Sequence, residues 1–483
     1  MSHSKILIGG QWQDAVSGQT LPVINPSTGE TFGQISRGDK ADVDLAVAAA
    51  QAAFDGDWGR MPAFERGRLM MRLGEAILDN FDLLTDLETA DVGKPVQQSR
   101  NDVTACARYF EFYGGAADKI HGETIPYLEG YTVMTLREAH GVTGHIIPWN
   151  YPMQIIGRSI GAALTMGNAC VLKPGEDASL TSLKIGELAL QAGFPAGALN
   201  IVTGLGSEAG AALSAHPGIR HISFTGSTGV GTLIQKAAAE NTIPVTLELG
   251  GKSPQIVFAD ADLDAAVPFL TNAIVQNSGQ TCSAGSRLLV QRSIHDELLD
   301  KVAGGIRAMV VGPAVRNLNC GPMVNKKQLD KVNGYLAMAD GPKGNNGPRI
   351  VAQSKTDDDL PKGGYYVPPT LIAGVPRDHP LAQEEIFGPV LSVIPFDDEE
   401  DAISIANGTK YGLVAGVWTK DGGRQMRMAR KIEAGQVFIN NYGAGGGVEL
   451  PFGGVRGSGF GREKGFEALY GFSATKTIAI KHD

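Results

Sequence analysis

Cysteine is scarce in this chain: four among 483 residues, Cys106, Cys170, Cys282 and Cys320, far apart and with no C-x-x-C pair. No histidines group with them at metal-ligand spacing, so neither a disulfide framework nor a metal site is expected, and a reducing, cytoplasmic setting is. Basic charge is in deficit. Lys and Arg number 42 against 51 Asp and Glu, a net charge of -9, which excludes the basic footprint needed for nucleic acid or an anionic membrane surface. Long apolar runs are missing too. The opening MSHSKILIGGQWQD has no signal-peptide core, and the longest nearly uncharged run, 151–172, is broken by Arg158, Asn168 and glycines. That run reads as a buried helix followed by a strand, not as a membrane span. What is plentiful is glycine, 64 residues dispersed along the chain, within a composition that is 43% hydrophobic and 19% charged. This is the profile of a globular protein of two or three domains, with a small molecule as its expected partner.

Periodicity supplies the architecture. Val43, Val47, Ala50 and Phe54 recur at helical spacing, as do Leu69, Leu73, Ile77, Phe81 and Leu84 before Gly93-Lys94-Pro95, and these predict two amphipathic helices. From Gly141 onward, short β-rich runs (GVTGHIIP, NACVLKP, ALNIVTG, HISFTG, PVTLELGG) alternate with helical stretches starting near Pro152, Ser179, Ser207 and Gly229. Strict alternation with apolar strands predicts βαβ units in a doubly wound parallel sheet, whose ligands bind beyond the carboxyl ends of the strands. After Gly251 the pattern resumes with a helix over 262–278, a strand over 286–291 and a helix over 294–310, which predicts a second α/β domain. The stretches 340–350 and 441–454 read as glycine-rich loops. No fixed-period repeat is present.

Three segments present a polar residue on a turn at or beside a predicted strand: IIPWN ending at Asn150, TLELGG containing Glu248, and GQTCSAGSR containing Cys282. A thiol among Gly, Thr and Ser, in a loop expected to lead toward a helix, has access and free backbone N–H groups, as a reactive thiolate requires. Cys170 in a strand and Cys106 in a helix have the apolar neighbours of packing residues, and Cys320 before Gly321-Pro322 is open to either reading. Glu248 has two readings as well. It is either half of a buried ion pair, for example with Lys252, or a residue aimed into a cleft by the two glycines that follow it.

VTLELGGKSP, GQTC, PWNYP, FTGSTGVG, EEIFGP and PFGGVRGSGFGRE, in this order of kind and spread over nearly the whole chain, resemble the signature segments of the NAD(P)-dependent aldehyde dehydrogenase superfamily. The resemblance implies two doubly wound α/β domains, a Rossmann-like cofactor domain (1–120 and 140–251) and a catalytic domain (252–450). A small β oligomerisation element (121–139 and 466–483) would assemble homodimers or homotetramers. It implies Cys282 as nucleophile, forming a thiohemiacetal whose oxyanion is held by the Asn150 side chain and the Cys282 backbone N–H. Hydride then passes to nicotinamide, and water activated by Glu248 hydrolyses the thioester. The cofactor site by resemblance comprises Ile146, Pro148, Trp149, Lys173, Glu176, Gly204, Gly226, Ser227, Gly231, Leu249, Glu385 and Phe387. FTGSTGVG lacks the usual G-x-G-x-x-G fingerprint, yet Gly226 and Ser227 open a helix where phosphate is favoured, and a helix cap is the plainer reading. A carboxylate at Glu176 accepts from ribose hydroxyls and repels a 2′-phosphate, which favours NAD over NADP.

Tyr151, Arg158 and Phe452 are the candidate substrate contacts. Arg158 lies two helical turns beyond Asn150 and either meets a carboxylate on the substrate or satisfies neighbouring protein groups. The glycines of 443–451 suggest a wide entrance, and together these features suggest an aldehyde with a ring or a polar far end. Three rivals are a CoA-acylating relative, a non-catalytic relative, and a thiol hydrolase with His145 as base. The first is opposed by the presence of Glu248, the second by that of all three catalytic candidates, and the third by the absence of a Cys-His motif.

Overall fold

The computed structural model describes residues 3–339, 347–443 and 447–482. Two large sheets organise it. In the first, five parallel strands lie in the spatial order Val245–Glu248, His221–Thr225, Val142–Ile146, Ala169–Lys173 and Leu199–Ile201. The three central strands are buried at every residue, as a parallel sheet covered on both faces requires, and this is why they read as apolar runs without alternation. Val142–Ile146 is first of the five in the chain and His221–Thr225 is fourth, yet they are neighbours. The winding therefore reverses between them, and the crevice past their carboxyl ends is a topological switch point of the kind that takes ligands. Asn150 and Ser227 follow those two ends directly.

Antiparallel strands extend this sheet at both edges. Ile6–Ile8 and Gln11–Gln13 are added at one, and at the other Gly459–Phe460 arrives from near the C-terminus, pairing Gly459 with Glu248. The second sheet has seven strands: Arg349–Gln353, Thr370–Ala373, Val390–Phe396, Arg287–Gln291, Pro254–Val257, Val414–Trp418 and Gln436–Ile439, parallel except for the first. A third, small sheet pairs Ser473–Lys481 with Tyr131–Ala139 in unbroken antiparallel register and adds Thr124–Ile125.

Helix Lys40–Asp55 starts at a capping box between Asp39 and Asp42. The single helix expected through Leu69 to Leu84 is instead two, Ala63–Asp79 and Phe81–Val92. Asn80 sits at the joint, where its side-chain amide donates to the Ala76 carbonyl at 2.8 Å and competes for the acceptor that a continuous helix uses. The helix expected near Ser207 is only a wide turn, Gly206–Gly210, before the short Ala211–Ala215, a consequence of two glycines in the turn. Helix Pro152–Thr165 is buried along almost its whole length, so it carries Arg158 into the interior. Tyr109 and Tyr113 of helix Val96–Ala116 pack on its Gly157 and Gly161, where an added Cβ would lie 3.0 Å from either ring. Of the two glycine-rich loops, 340–346 and 444–446 lie outside the described residues.

Candidate active site

Asn150, Glu248 and Cys282 all line one cavity of about 970 Å³, bounded by residues of both large sheets. Glu248 is the last residue of its strand and is 1% exposed. Neither of its carboxylate oxygens has a hydrogen-bond partner among the described residues, and no ion pair joins it to Lys252. Burial raises its carboxyl well above the ordinary range; Glu463 adds to this, and Arg158 opposes it. The glycines after it have a steric reason. A Cβ on Gly250 would lie 2.4 Å from Glu385 Oε2, and one on Gly251 would lie 2.4 Å from the Cys282 carbonyl oxygen. The chain leaving Glu248 thus passes between the Glu385 carboxylate and the Cys282 backbone, where only glycine fits.

Cys282 occupies a loop between the turn Gln276–Gly279 and strand Arg287–Gln291. The loop leads into a strand, not a helix, so the expected field of a helix N-terminus is absent; the positive charges on the same cavity wall are Arg158 and Lys464. Its thiol is partly exposed, whereas Cys106, Cys170 and Cys320 are buried, which settles Cys320 as a packing residue. Burial pushes the Cys282 thiol up to about 11, with Arg158 acting downward and Glu385 and Glu248 upward. Just before the loop, Asn277 and Ser278 both have left-handed backbone, at φ 45° and 55°. Asn277 Nδ2 donates to the Asn150 carbonyl at 2.9 Å and Ser278 Oγ to the Gly321 carbonyl at 2.8 Å, pinning the turn. Strain of this kind costs about 1–3 kcal/mol per residue and gathers at functional sites. Asn150 in turn donates one amide hydrogen to the Gln280 carbonyl at 2.9 Å, and the carboxamide has a second to offer.

On the side of the switch point, Pro148, Trp149, Glu176, Gly226, Ser227, Glu385 and Phe387 also line the cavity. Ser227 Oγ accepts from Val230 N at 3.4 Å, so it does cap helix Thr228–Glu240 while facing the cavity. Lys173 stands behind Glu176, Nζ to Oε2 2.7 Å. Ile146, Gly204, Gly231 and Leu249 do not line the cavity. A Cβ on Gly204 would sit 2.3 Å from the Gly38 carbonyl oxygen and one on Gly231 would sit 2.6 Å from Leu249, so they act as packing supports behind it. The donor set fits a dinucleotide: a helix N-terminus for phosphate, a carboxylate for ribose hydroxyls, and the Trp149 and Phe387 rings, edge to face at 5.5 Å.

Tyr151, Arg158 and Phe452 line the same cavity. Arg158 Nε is ion-paired with Glu463 and its guanidinium lies 5.0 Å from the Phe452 ring centroid. Lys94 Nζ lies 3.9 Å from the Tyr151 centroid and is held by Glu88 and Asp102. Sequence reasoning missed Lys464, Tyr442 and Gln154 on the cavity wall. Only Lys464 left a signal, a charge directly after PFGGVRGSGFGRE in a tract otherwise dominated by glycine. His145 is not on the wall. Both its ring nitrogens are engaged at 2.8 Å, by Thr143 and Ser159, and burial pushes it down to about 3, which removes the thiol-hydrolase rival.

The aldehyde dehydrogenase family profile matches residues 12–478. The chain belongs to that family. It is 43% identical to an Arabidopsis thaliana protein named aldehyde dehydrogenase family 2 member B4, mitochondrial, over 99% of this chain and 88% of that one. It is 42% identical to a hydroxyisobutyraldehyde dehydrogenase of Mycolicibacterium austroafricanum, over 98% and 93%. Among solved structures, the NAD+ complex of an aldehyde dehydrogenase from Bacillus cereus superposes with a TM-score of 0.96 at 38% identity, covering 100% of this chain and 97% of that one. The protein is an NAD-dependent aldehyde dehydrogenase of mixed α/β fold. No helix among the described residues is long and apolar enough to cross a membrane.

Proposed function

We propose that this family member oxidises an aldehyde to its carboxylic acid through a covalent adduct on Cys282. The Cys282 thiolate adds to the carbonyl carbon, and the oxygen, now negative, is held by the free amide hydrogen of Asn150 and the Cys282 backbone N–H. Bound NAD, which Lys173, Glu176, Gly226, Ser227, Glu385 and Phe387 would hold with Pro148 and Trp149, supplies the hydride acceptor. Loss of hydride from the adduct leaves a thioester on Cys282. Glu248 removes a proton from water, the resulting hydroxide displaces the thiolate, and the acid departs. Burial makes Glu248 a stronger base than an exposed carboxylate, which suits this task. The observation that carries the reading is the buried Glu248 carboxylate, unpartnered and on the same cavity wall as the one partly exposed thiol. That carboxylate also disfavours transfer of the acyl group to coenzyme A.

The substrate proposed is an aldehyde with a ring or a polar far end, lying between Tyr151 and Phe452 with Arg158 beyond. The same reading assigns 1–120 and 140–251 to cofactor binding, 252–450 to catalysis, and 121–139 with 466–483 to self-association as a homodimer or homotetramer in the cytoplasm. The exposed outer strand Ser473–Lys481 supports self-association, because an unpaired edge invites a partner.

NADH formation from an aldehyde panel tests the chemistry. Cys282→Ser should lower turnover at least ~10³-fold. Glu248→Gln should keep a rapid burst of NADH, up to one per site, and then turn over ~10²–10⁴-fold more slowly. Wild-type steady-state rates in either variant would refute the proposal.

A further inference from the structure

Arg158, the cation that the sequence offers to a polar substrate, is already committed within the protein. Its Nε faces Glu463, one terminal nitrogen donates to Thr225 Oγ1 at 3.3 Å, and the other oxygen of Glu463 accepts from Ser223 Oγ at 2.8 Å. The two side chains are 7% and 0% exposed, so the pair enters the cavity wall as a neutral, fixed unit.

A second cation stands on that wall. Lys464 lines the cavity, with its Nζ 5.3 Å from the Phe452 ring centroid and 6.0 Å from that of Tyr109. Arg158 and Lys464 thus both approach Phe452, and Phe452 belongs to the small apolar cluster on which Cys282 packs. The backbone at Lys464 has φ 63° and ψ 166°, a region essentially reserved for glycine. Reciprocal backbone hydrogen bonds between Phe452 and Glu463, at 2.6 and 2.7 Å, and one from Gly465 N to the Val448 carbonyl at 2.8 Å hold it there. A lysine kept where glycine would be unstrained, with its ammonium brought to a cavity wall beside the nucleophile, is arranged to place a charge.

We propose that Lys464 is the specificity-determining residue of this site, and that it recognises a carboxylate at the far end of the aldehyde, with the Arg158–Glu463 pair as the rigid wall behind Phe452. The inference rests on the thiol-based reading given above. Burial and Arg158 push the ammonium down to about 8, so a desolvated cation there gains by meeting an anion.

The test compares 4-oxobutanoate with its neutral methyl ester in wild type, Lys464→Met, Lys464→Arg and Lys464→Gly, reading kcat and KM separately. Wild type should prefer the carboxylate. In Lys464→Met the ratio of kcat/KM values, carboxylate over ester, should fall at least ~10-fold through KM, and Lys464→Arg should restore most of it. Lys464→Gly should lose the same preference while melting higher, because the strain is relieved. Absence of a wild-type preference, or equal effects on both substrates in Lys464→Met, would overturn the proposal. Failure of the thiol reading shows separately, as retained turnover of both substrates by Cys282→Ser.

Discussion

Among the four thiols, Cys282 differs from the others in access and not in ease of ionisation. Burial raises all of them, yet only this one opens onto the cavity. The groups facing it are Arg158 and Lys464, which favour the thiolate, and Glu248 and Glu385, which oppose it. With the thiol near 11, the reactive fraction at neutral pH is small and grows about tenfold per pH unit, since each unit below the pKa costs a factor of ten in thiolate. Alkylation of the cofactor-free enzyme by iodoacetamide should therefore accelerate steadily from pH 7 to 10 and label Cys282 alone by peptide mapping. A plateau near pH 7 would mean that the local cations outweigh burial.

At the scale of elements, the turn after Val245–Glu248 brings the two halves of the site together. Gly251 lets the Cys282 backbone approach within what would be 2.4 Å of a side chain, and the obstacle is a carbonyl that cannot swing aside. Gly251→Ala should cost about 1–3 kcal/mol and lower kcat, as the thiol loop is pushed away from Glu248. Gly304 is the contrast. It lies exposed within helix His295–Ala308 and an added Cβ would meet nothing within 4 Å, so Gly304→Ala should stabilise by about 0.5–1 kcal/mol with kcat unchanged. Thermal melts and steady-state rates of the two variants check both signs.

At the scale of the molecule, the cavity exists because the switch point of one doubly wound sheet faces residues contributed by the other. A ligand that spans it, such as NAD, binds the folded state only, and at a hundredfold excess over Kd stabilises by about 2.7 kcal/mol. NAD should accordingly raise the melting midpoint more than equal NADP, because the Glu176 carboxylate, braced by Lys173, repels a 2′-phosphate. Glu176→Ala should shrink that difference, chiefly by weakening NAD. Equal shifts by both cofactors in the wild type would show that Glu176 does not discriminate.

The sequence by itself determined the alternation of strands and helices, the reversal-prone βαβ pattern, and the placement of Asn150, Glu248 and Cys282 on turns, because these depend on local periodicity and on which residues can turn. It also placed Ser227 at a helix start, for the same local reason. It misread the continuity of the helix at Asn80, where one side-chain hydrogen bond outweighed an unbroken apolar stripe. Only the tertiary structure decided which charges face one another. Arg158 and Glu463 are 305 positions apart, and no local pattern reveals that the guanidinium is already neutralised; nor does any reveal that Lys464, in a glycine-like backbone, stands beside Phe452. Buried electrostatics depend on distance through space, and distance through space is what periodicity cannot encode.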